Sequence, residues 1–261
     1  MRRGGGLKIR LLIGAGIILF SLFKYWGSAK TNKYTGRKQH ITITTDQEIR
    51  MGLSSAPAMA QQHGGLYPDQ SAQDLVDKVG QKLVNNSIAQ ETGYRFDFHL
   101  LRDPKAINAF ALPGGQCFIT YALFAQLENE DQLAGVLGHE IAHVVGRHSA
   151  DRMSKQKLTQ GILSGVSVGG GANAGQMAAQ IANMVNMKYG REDELESDDL
   201  GVKFMLDAGY QPEEMLGVMK ILKASSGGRK VPEFQSTHPD PENRMAKIKA
   251  AIRKYRGTSR R

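Results

Sequence analysis

His139 and His143 stand four residues apart, with Glu140 directly after the first. Residues four apart on an α-helix share a face, so both imidazoles can reach one ion, while Glu140, one step round, can face a water bound to that ion. This is the zincin arrangement, whose chemistry is hydrolysis by a metal-activated water. A structural reading, with the two histidines satisfied by hydrogen bonds in a core, is hard to defend, because two His and a Glu clustered on an apolar helix each incur a desolvation cost of roughly a few kcal/mol unless paired or metal-bound.

A catalytic zinc takes three protein ligands and keeps one position open. The metzincin pattern puts its third histidine six residues after the second, but position 149 is Ser149 and the histidine is His148. A one-residue slip rotates a helical side chain by about 100°, which excludes that branch. His148 then reads as a capping or packing residue near the helix end. The acidic run from Glu192 to Asp199 is the other source. Glu194 and Asp198 share one helical face, so the glutamate can ligate while the aspartate accepts a hydrogen bond from a ligand histidine and fixes its tautomer. Glu196 points elsewhere. Taken alone, such a run is more often a solvated helix face; the His pair upstream is what favours the ligand reading.

Several elements must position these groups. Leu133, Val136, Leu137, Ile141 and Val144 follow helical spacing behind a capping Asn129, predicting one largely buried helix from 130 to about 150. Thr45 and Glu48 form a capping-box pattern, and Leu75, Val76, Val79 and Leu83 mark a second helix. Residues 94–101 alternate as a strand, and two short extended segments flank Pro113-Gly114-Gly115. That turn and the strand after it are expected to offer an open edge to which an extended substrate adds. After the acidic cluster, Gly209 stops a helix, Pro212 starts another, and Asp240-Pro241 caps a basic terminal one. The fold class is α+β: a mostly helical domain with a small sheet, preceded by one N-terminal apolar helix.

The composition, with 41% hydrophobic and 23% charged residues, is that of a globular chain. A single cysteine, Cys117, excludes a disulfide framework and a Cys-rich zinc module. The net charge of +9 is confined to residues 1–40, which carry nine Lys/Arg and no Asp/Glu; the remainder holds 25 of each sign. Nucleic-acid binding therefore has no folded basic face to rest on, and the basic stretch from Arg244 to Arg261 reads as an exposed helix with a frayed tail. The uncharged run of residues 11–23 is short for a bilayer, but a helix from Leu7 to Trp26 reaches roughly 30 Å with Lys8, Arg10 and Lys24 able to snorkel. Residues 1–29 are read as a signal anchor, with a cleaved signal peptide as the competing reading. Residues 30–44 form a polar linker, 45–256 the metallopeptidase domain and 257–261 a basic tail. Residues 158–187 carry no charge and six glycines, and are expected to form a Gly-hinged lid with Met177, Met184 and Met187 over the cleft.

The His139–His143 motif, the Glu194-x-x-x-Asp198 motif, the segment from Asn108 to Gly115, and Thr237-His238-Pro239 with Arg244 occur in this order. Together they resemble the zinc metallopeptidase family of the CAAX prenyl protease, the HtpX protease and the mitochondrial Oma protease, most of all its periplasmic beta-barrel assembly-enhancing type. The resemblance covers roughly residues 45–255. It implies a gluzincin endopeptidase with one zinc per chain held by His139, His143 and Glu194, Glu140 as the base, and Asp198 and Arg244 behind the ligands. It implies substrate contacts at Asn108, Gly114, Gly115 and Gln116. His238, which alone would read as a surface or structural histidine, has a family counterpart near the metal, either stabilising the oxyanion or filling the open zinc position in a latent state. The implied substrates are unfolded or membrane-associated proteins in quality control, with the protein membrane-anchored or exported. No room remains after the catalytic domain for the tetratricopeptide domain some members carry. The competing function is a chaperone or assembly adaptor with a latent zinc site.

Overall fold

An uncharged, mostly apolar run of residues 11–23, flanked by Lys8, Arg10 and Lys24, makes the body of the first helix, α1 (Gly4–Trp26), many of whose apolar side chains face outward: Leu12 is 72% and Phe23 76% exposed. Its stretch Gly6–Trp26 is 21 residues long, enough by length and composition to cross a membrane. The computed structural model describes residues 4–170, 189–225, 234, 236, 238 and 243–258. They fall into two units, one of residues 1–44 with 149–188 and one of 45–148 with 189–261.

In the first unit, α1 packs against α6 (His148–Gly170) along a seam of small residues. A Cβ at Gly14 would lie 2.4 Å from the Gly165 carbonyl oxygen, and one at Gly165 2.5 Å from Ile18, so the helix backbones approach as only glycines allow. The Arg10 guanidinium donates to the Val168 carbonyl at 3.1 Å. Residues 30–44, expected as a linker, instead contain an antiparallel hairpin of β1 (Ala29–Thr31) and β2 (Lys38–His40). Their polar residues serve its turn: the Asn32 side chain accepts from Tyr34 and Thr35 backbone N–H groups. Ile41 and Ile43 then bury against Ala150 and Met153. Of the six glycines in the expected lid, Gly161, Gly165, Gly169 and Gly170 lie inside α6, while Met177, Met184 and Met187 lie outside the described residues.

The second unit holds α2 (Thr45–Gln62), α3 (Gln70–Asn85), a 3-10 turn (Ile88–Thr92), β3 (Asp97–Leu101), β4 (Ala109–Ala111), β5 (Gln116–Thr120), α4 (Tyr121–Phe124), α5 (Glu130–Val145), α7 (Arg191–Asp207), α8 (Glu214–Ala224) and α9 (Arg244–Thr258). The Glu48 carboxylate does not close a capping box: it accepts from Tyr94 Oη at 3.0 Å and from the Arg147 guanidinium at 2.6 Å. The sheet runs β3-β5-β4, β3 parallel and β4 antiparallel to β5. The strand expected to be an open edge, β5, is thus the middle one, and all five of its residues are buried. The outer edge of β3 is closed by side chains, Gln73 bonding Phe98 and Leu100 and Gln81 bonding the Phe96 carbonyl. Among the described residues β4 has β5 as its single strand partner; its Ala109 and Ala111 are buried, and the preceding Ile107 carbonyl accepts from the Phe234 N–H.

From Gln132 to Val145 every residue of α5 is buried, as expected of a helix apolar on nearly all sides. Asn129 caps it, its side chain accepting from Gln132 N–H at 2.8 Å. The single helix expected to run to about 150 breaks at Gly146 and Arg147, the latter in the left-handed region at φ 55°. The helix α7 crosses α5 where Gly138 and Gly201 meet, and a Cβ at Gly201 would lie 3.3 Å from the His139 backbone nitrogen. A Gly201→Val substitution forces branched carbons into this crossing. It should cost about 1–3 kcal/mol, lowering the melting temperature by roughly 2–4 °C per kcal/mol and reducing bound metal. Unchanged melting would refute the close crossing.

Candidate metal centre

The crossing of α5 and α7 brings His139, Glu140 and His143 of the first helix against Glu194 and Asp198 of the second, all five buried. The two Nε2 atoms of His139 and His143 are 3.0 Å apart. Glu194 turns Oε2 to within 3.4 Å of His139 Nε2 and Oε1 to within 3.5 Å of His143 Nε2. Ligands about 2.0–2.1 Å from a tetrahedral zinc lie about 3.4 Å from one another, so these spacings are those of three corners of a zinc site. His238 completes a set of four, its Nδ1 3.5 Å from His139 Nε2 and 3.1 Å from Glu194 Oε1. One ligand atom from each of His139, His143, Glu194 and His238 lies within 4.8 Å of all the others.

Hydrogen bonding alone does not account for this cluster. Both Glu140 oxygens, Glu194 Oε2 and His238 Nε2 are buried with no hydrogen-bond partner among the described residues. Bringing lone pairs together in a dry interior is unfavourable unless a cation joins them, and imidazole with carboxylate is a donor set that suits zinc. The residues therefore fit a zinc ion.

Each α5 histidine is anchored through its other nitrogen. His139 Nδ1 is 3.0 Å from Asp198 Oδ1, and Arg244, at the start of α9, grips that carboxylate with Nε at 2.6 Å and Nη2 at 2.9 Å. His143 Nδ1 is 2.9 Å from His148 Nδ1, and His148 Nε2 is 2.6 Å from Glu196 Oε2. The reading of His148 as a cap or packing residue is corrected here, while Glu196 does point away from the cluster of His139, His143, Glu194 and His238. His148 begins α6 beyond a break, turned back under His143, and Glu196 reaches it.

Electrostatics follow from burial and these partners. Burial pushes the Glu140 carboxyl up, against the pull of His238 and His139. Burial also disfavours charge on His139, but its hydrogen bonds with Asp198 and Glu194 prevail and raise it to about 9. Glu194 is held below the ordinary carboxylate range, burial being outweighed by hydrogen bonds from His139 and His238. Asp198 is likewise lowered, Arg244 prevailing over burial. Burial, followed by the charge of His139, depresses His143 and favours its neutral, ligating form.

The expected substrate residues are distributed differently. Gly114 and Gly115 take positive φ of 87° and 113° and are wedged against α2 and the start of β3. The Gln116 side chain is spent on His99 and the Arg95 carbonyl, so none of these three lies at a free edge. Asn108 is buried at the start of the β4 segment with its side-chain oxygen unpartnered among the described residues. Two rings were not singled out from sequence: Tyr189 stacks on His143 with centroids 4.1 Å apart, and Phe234 stacks on His238 at 4.5 Å. Phe234 precedes His238 by four residues, and its carbonyl accepts from the His238 backbone N–H, a helical spacing that could have suggested it. Thr237, Pro239 and the Asp240-Pro241 cap lie outside the described residues.

The Peptidase family M48 model matches residues 70–252. The beta-barrel assembly-enhancing protease of Escherichia coli is 30% identical over 237 residues, 84% of this chain and 46% of its own length. The chain thus spans about half the length of that relative. The mitochondrial metalloendopeptidase OMA1 of Schizosaccharomyces pombe is 28% identical over 91% of this chain and 69% of its own. The metalloprotease YcaL of Escherichia coli is 27% identical over 67% of this chain and 68% of its own. With the matched segment covering the sheet, both helices of the metal centre and most of α9, the chain belongs to peptidase family M48.

Proposed function

We propose that this protein is a zinc-dependent endopeptidase that cleaves unfolded or misassembled proteins at or near a membrane. The observation that carries this reading is the convergence of His139, His143 and Glu194 at tetrahedral spacings beside a glutamate, Glu140, whose oxygens have no hydrogen-bond partner among the described residues. Bound by these three side chains, zinc supplies Lewis acidity and draws the pKa of water toward neutrality. Glu140 accepts a proton from the attacking water and returns it to the leaving amine nitrogen. Asp198, gripped by Arg244, keeps the His139 proton on Nδ1 and so turns Nε2 toward the cluster.

Substrate is read as pairing with β4, since β5 has strands on both sides and β3 is covered by glutamine side chains. The pairs 108–120 and 112–116 carry the hydrogen bonds to β5, so alternation turns the N–H and C=O groups of Ala109 and Ala111 away from it; both residues are buried, so substrate would have to displace what covers them. Backbone pairing of this kind selects for extended, unfolded chain. A membrane location rests on α1 and on relatives whose names refer to beta-barrel assembly and to mitochondria.

The position of His238, 3.1 Å from Glu194 Oε1, supports the plug role over the oxyanion role. The same position favours a second reading, an assembly adaptor whose zinc site stays latent. Casein cleavage by the purified full chain separates the two: zinc-loaded protein without activity, even after His238 is removed, would favour the adaptor.

Glu140→Gln should retain zinc and lose at least about 100-fold in casein cleavage; full activity with zinc bound would refute the assignment of the base. Chelation should abolish cleavage and added zinc restore it. His238→Ala should raise basal cleavage several-fold, whereas its loss would return His238 to the oxyanion role.

A further inference from the structure

The hydrolytic scheme gives no task to the buried imidazole beside His143. His148 is 1% exposed and lies between a metal-ligand candidate and a carboxylate: its Nδ1 is 2.9 Å from His143 Nδ1 and its Nε2 is 2.6 Å from Glu196 Oε2. Ser197 Oγ stands 3.3 Å from the same Nδ1. These contacts admit one consistent arrangement of protons once His143 Nε2 faces the metal cluster. The His143 proton then sits on Nδ1 and is donated to His148 Nδ1, which must accept. His148 accordingly keeps its own proton on Nε2 and donates it to Glu196.

We propose that His148 is a positioning residue for the metal ligand His143, accepting its Nδ1 proton and fixing its tautomer and ring plane, with Glu196 holding His148 in turn. This inference rests on the zinc reading above. It gives α7 a double role: Asp198 anchors one histidine of α5 directly, and Glu196 anchors the other through His148.

The local backbone is shaped to make this contact. On an unbroken helix, a residue five positions after His143 would sit roughly 140° round the axis, away from it. Here α5 ends at Gly146, Arg147 takes a left-handed φ of 55°, and His148 starts the next helix facing back. That conformation is unfavourable for a residue with a side chain. It is secured by the Arg147 guanidinium, whose Nε and Nη2 lie 3.1 Å and 2.6 Å from Glu48 Oε2, an oxygen that also takes the Tyr94 hydroxyl at 3.0 Å. A Cβ at Gly146 would fall 2.4 Å from His148 Nε2, so the ring occupies the space a larger residue would need. A side chain that merely filled volume would need neither the acceptor nitrogen nor the carboxylate behind it.

The test is zinc affinity of the full chain in detergent, measured by competition with a chromophoric chelator, with melting of the zinc-free protein as the control for folding. His148→Phe should weaken zinc binding about 10–100-fold while the zinc-free melt stays near that of the wild type. His148→Gln, whose amide oxygen can accept from His143, should recover most of that loss. Glu196→Ala, at a side chain 18% exposed, should weaken zinc binding in the same direction and covers the case in which the Phe variant does not fold. Wild-type affinity in Glu196→Ala or in His148→Phe, or a Gln variant no better than Phe, would overturn the positioning role. A wild-type chain that takes up no zinc would instead bring down the zinc reading itself, which separates the two failures.

Discussion

The structure depends on concentrating lone pairs in a place with almost no water. His139, His143, Glu194 and His238 turn their ligand atoms toward a common point inside the protein, and each is at most 2% exposed. Such an arrangement would scatter unless every ring and carboxylate were held from behind. Asp198 and Arg244 hold His139, His148 and Glu196 hold His143, and Arg244 Nη1 lies 3.5 Å from Glu194 Oε2. Removing one member of such a network leaves another buried polar group unsatisfied, which costs more than the lost bond itself.

Geometry at the backbone level makes the network possible. Two helices carrying ligands must cross closely enough for a carboxylate on one to reach imidazoles on the other, and the Gly138–Gly201 contact provides that approach one residue from His139. The same α7 delivers Glu194, Glu196 and Asp198, so one helix fixes a ligand and both outer anchors. Arg244 arrives from α9, near the C-terminal end of the matched segment. Its double grip on Asp198 therefore ties the last helix to the centre and couples folding of the whole unit to metal-site geometry.

What could be read from the sequence was whatever is set by local periodicity. The His139–His143 pair and the Glu194–Asp198 pair follow from 3.6 residues per turn, and the helix cap at Asn129 from side-chain chemistry. The role of His148 was hidden because it depends on a left-handed Arg147 stabilised by Glu48, a partner 99 residues away. The partner of Glu196 was hidden for the same reason: it points away from the cluster, as its spacing says, and meets His148 only where the chain returns. Strand order was equally out of reach. Nothing in the pattern of residues 94–120 says that β5 lies between β3 and β4, so the expected edge fell on the wrong strand. The hairpin in residues 29–40 was obscured by short, polar strands whose stabilising partner, Asp151 on the His40 N–H, is far along the chain.

The outer anchors also distinguish the four candidate ligands from one another. His139, His143 and Glu194 sit on long helices and each is braced by a second group. His238 is different: among the described residues its Nε2 has no hydrogen-bond partner, and it is steadied by the Phe234 ring and one backbone hydrogen bond to Phe234. Its Nδ1 nonetheless lies 3.1 Å from Glu194 Oε1, so its departure would take a buried partner from that carboxylate. Its Nε2 is also 3.8 Å from Glu140 Oε1, so the side chain in the fourth corner crowds the carboxylate assigned as the base. Movement of His238 would clear the space beside Glu140 at the cost of its contact with Glu194, whereas movement of His139 or His143 would also disrupt the Asp198–Arg244 or His148–Glu196 contacts behind it.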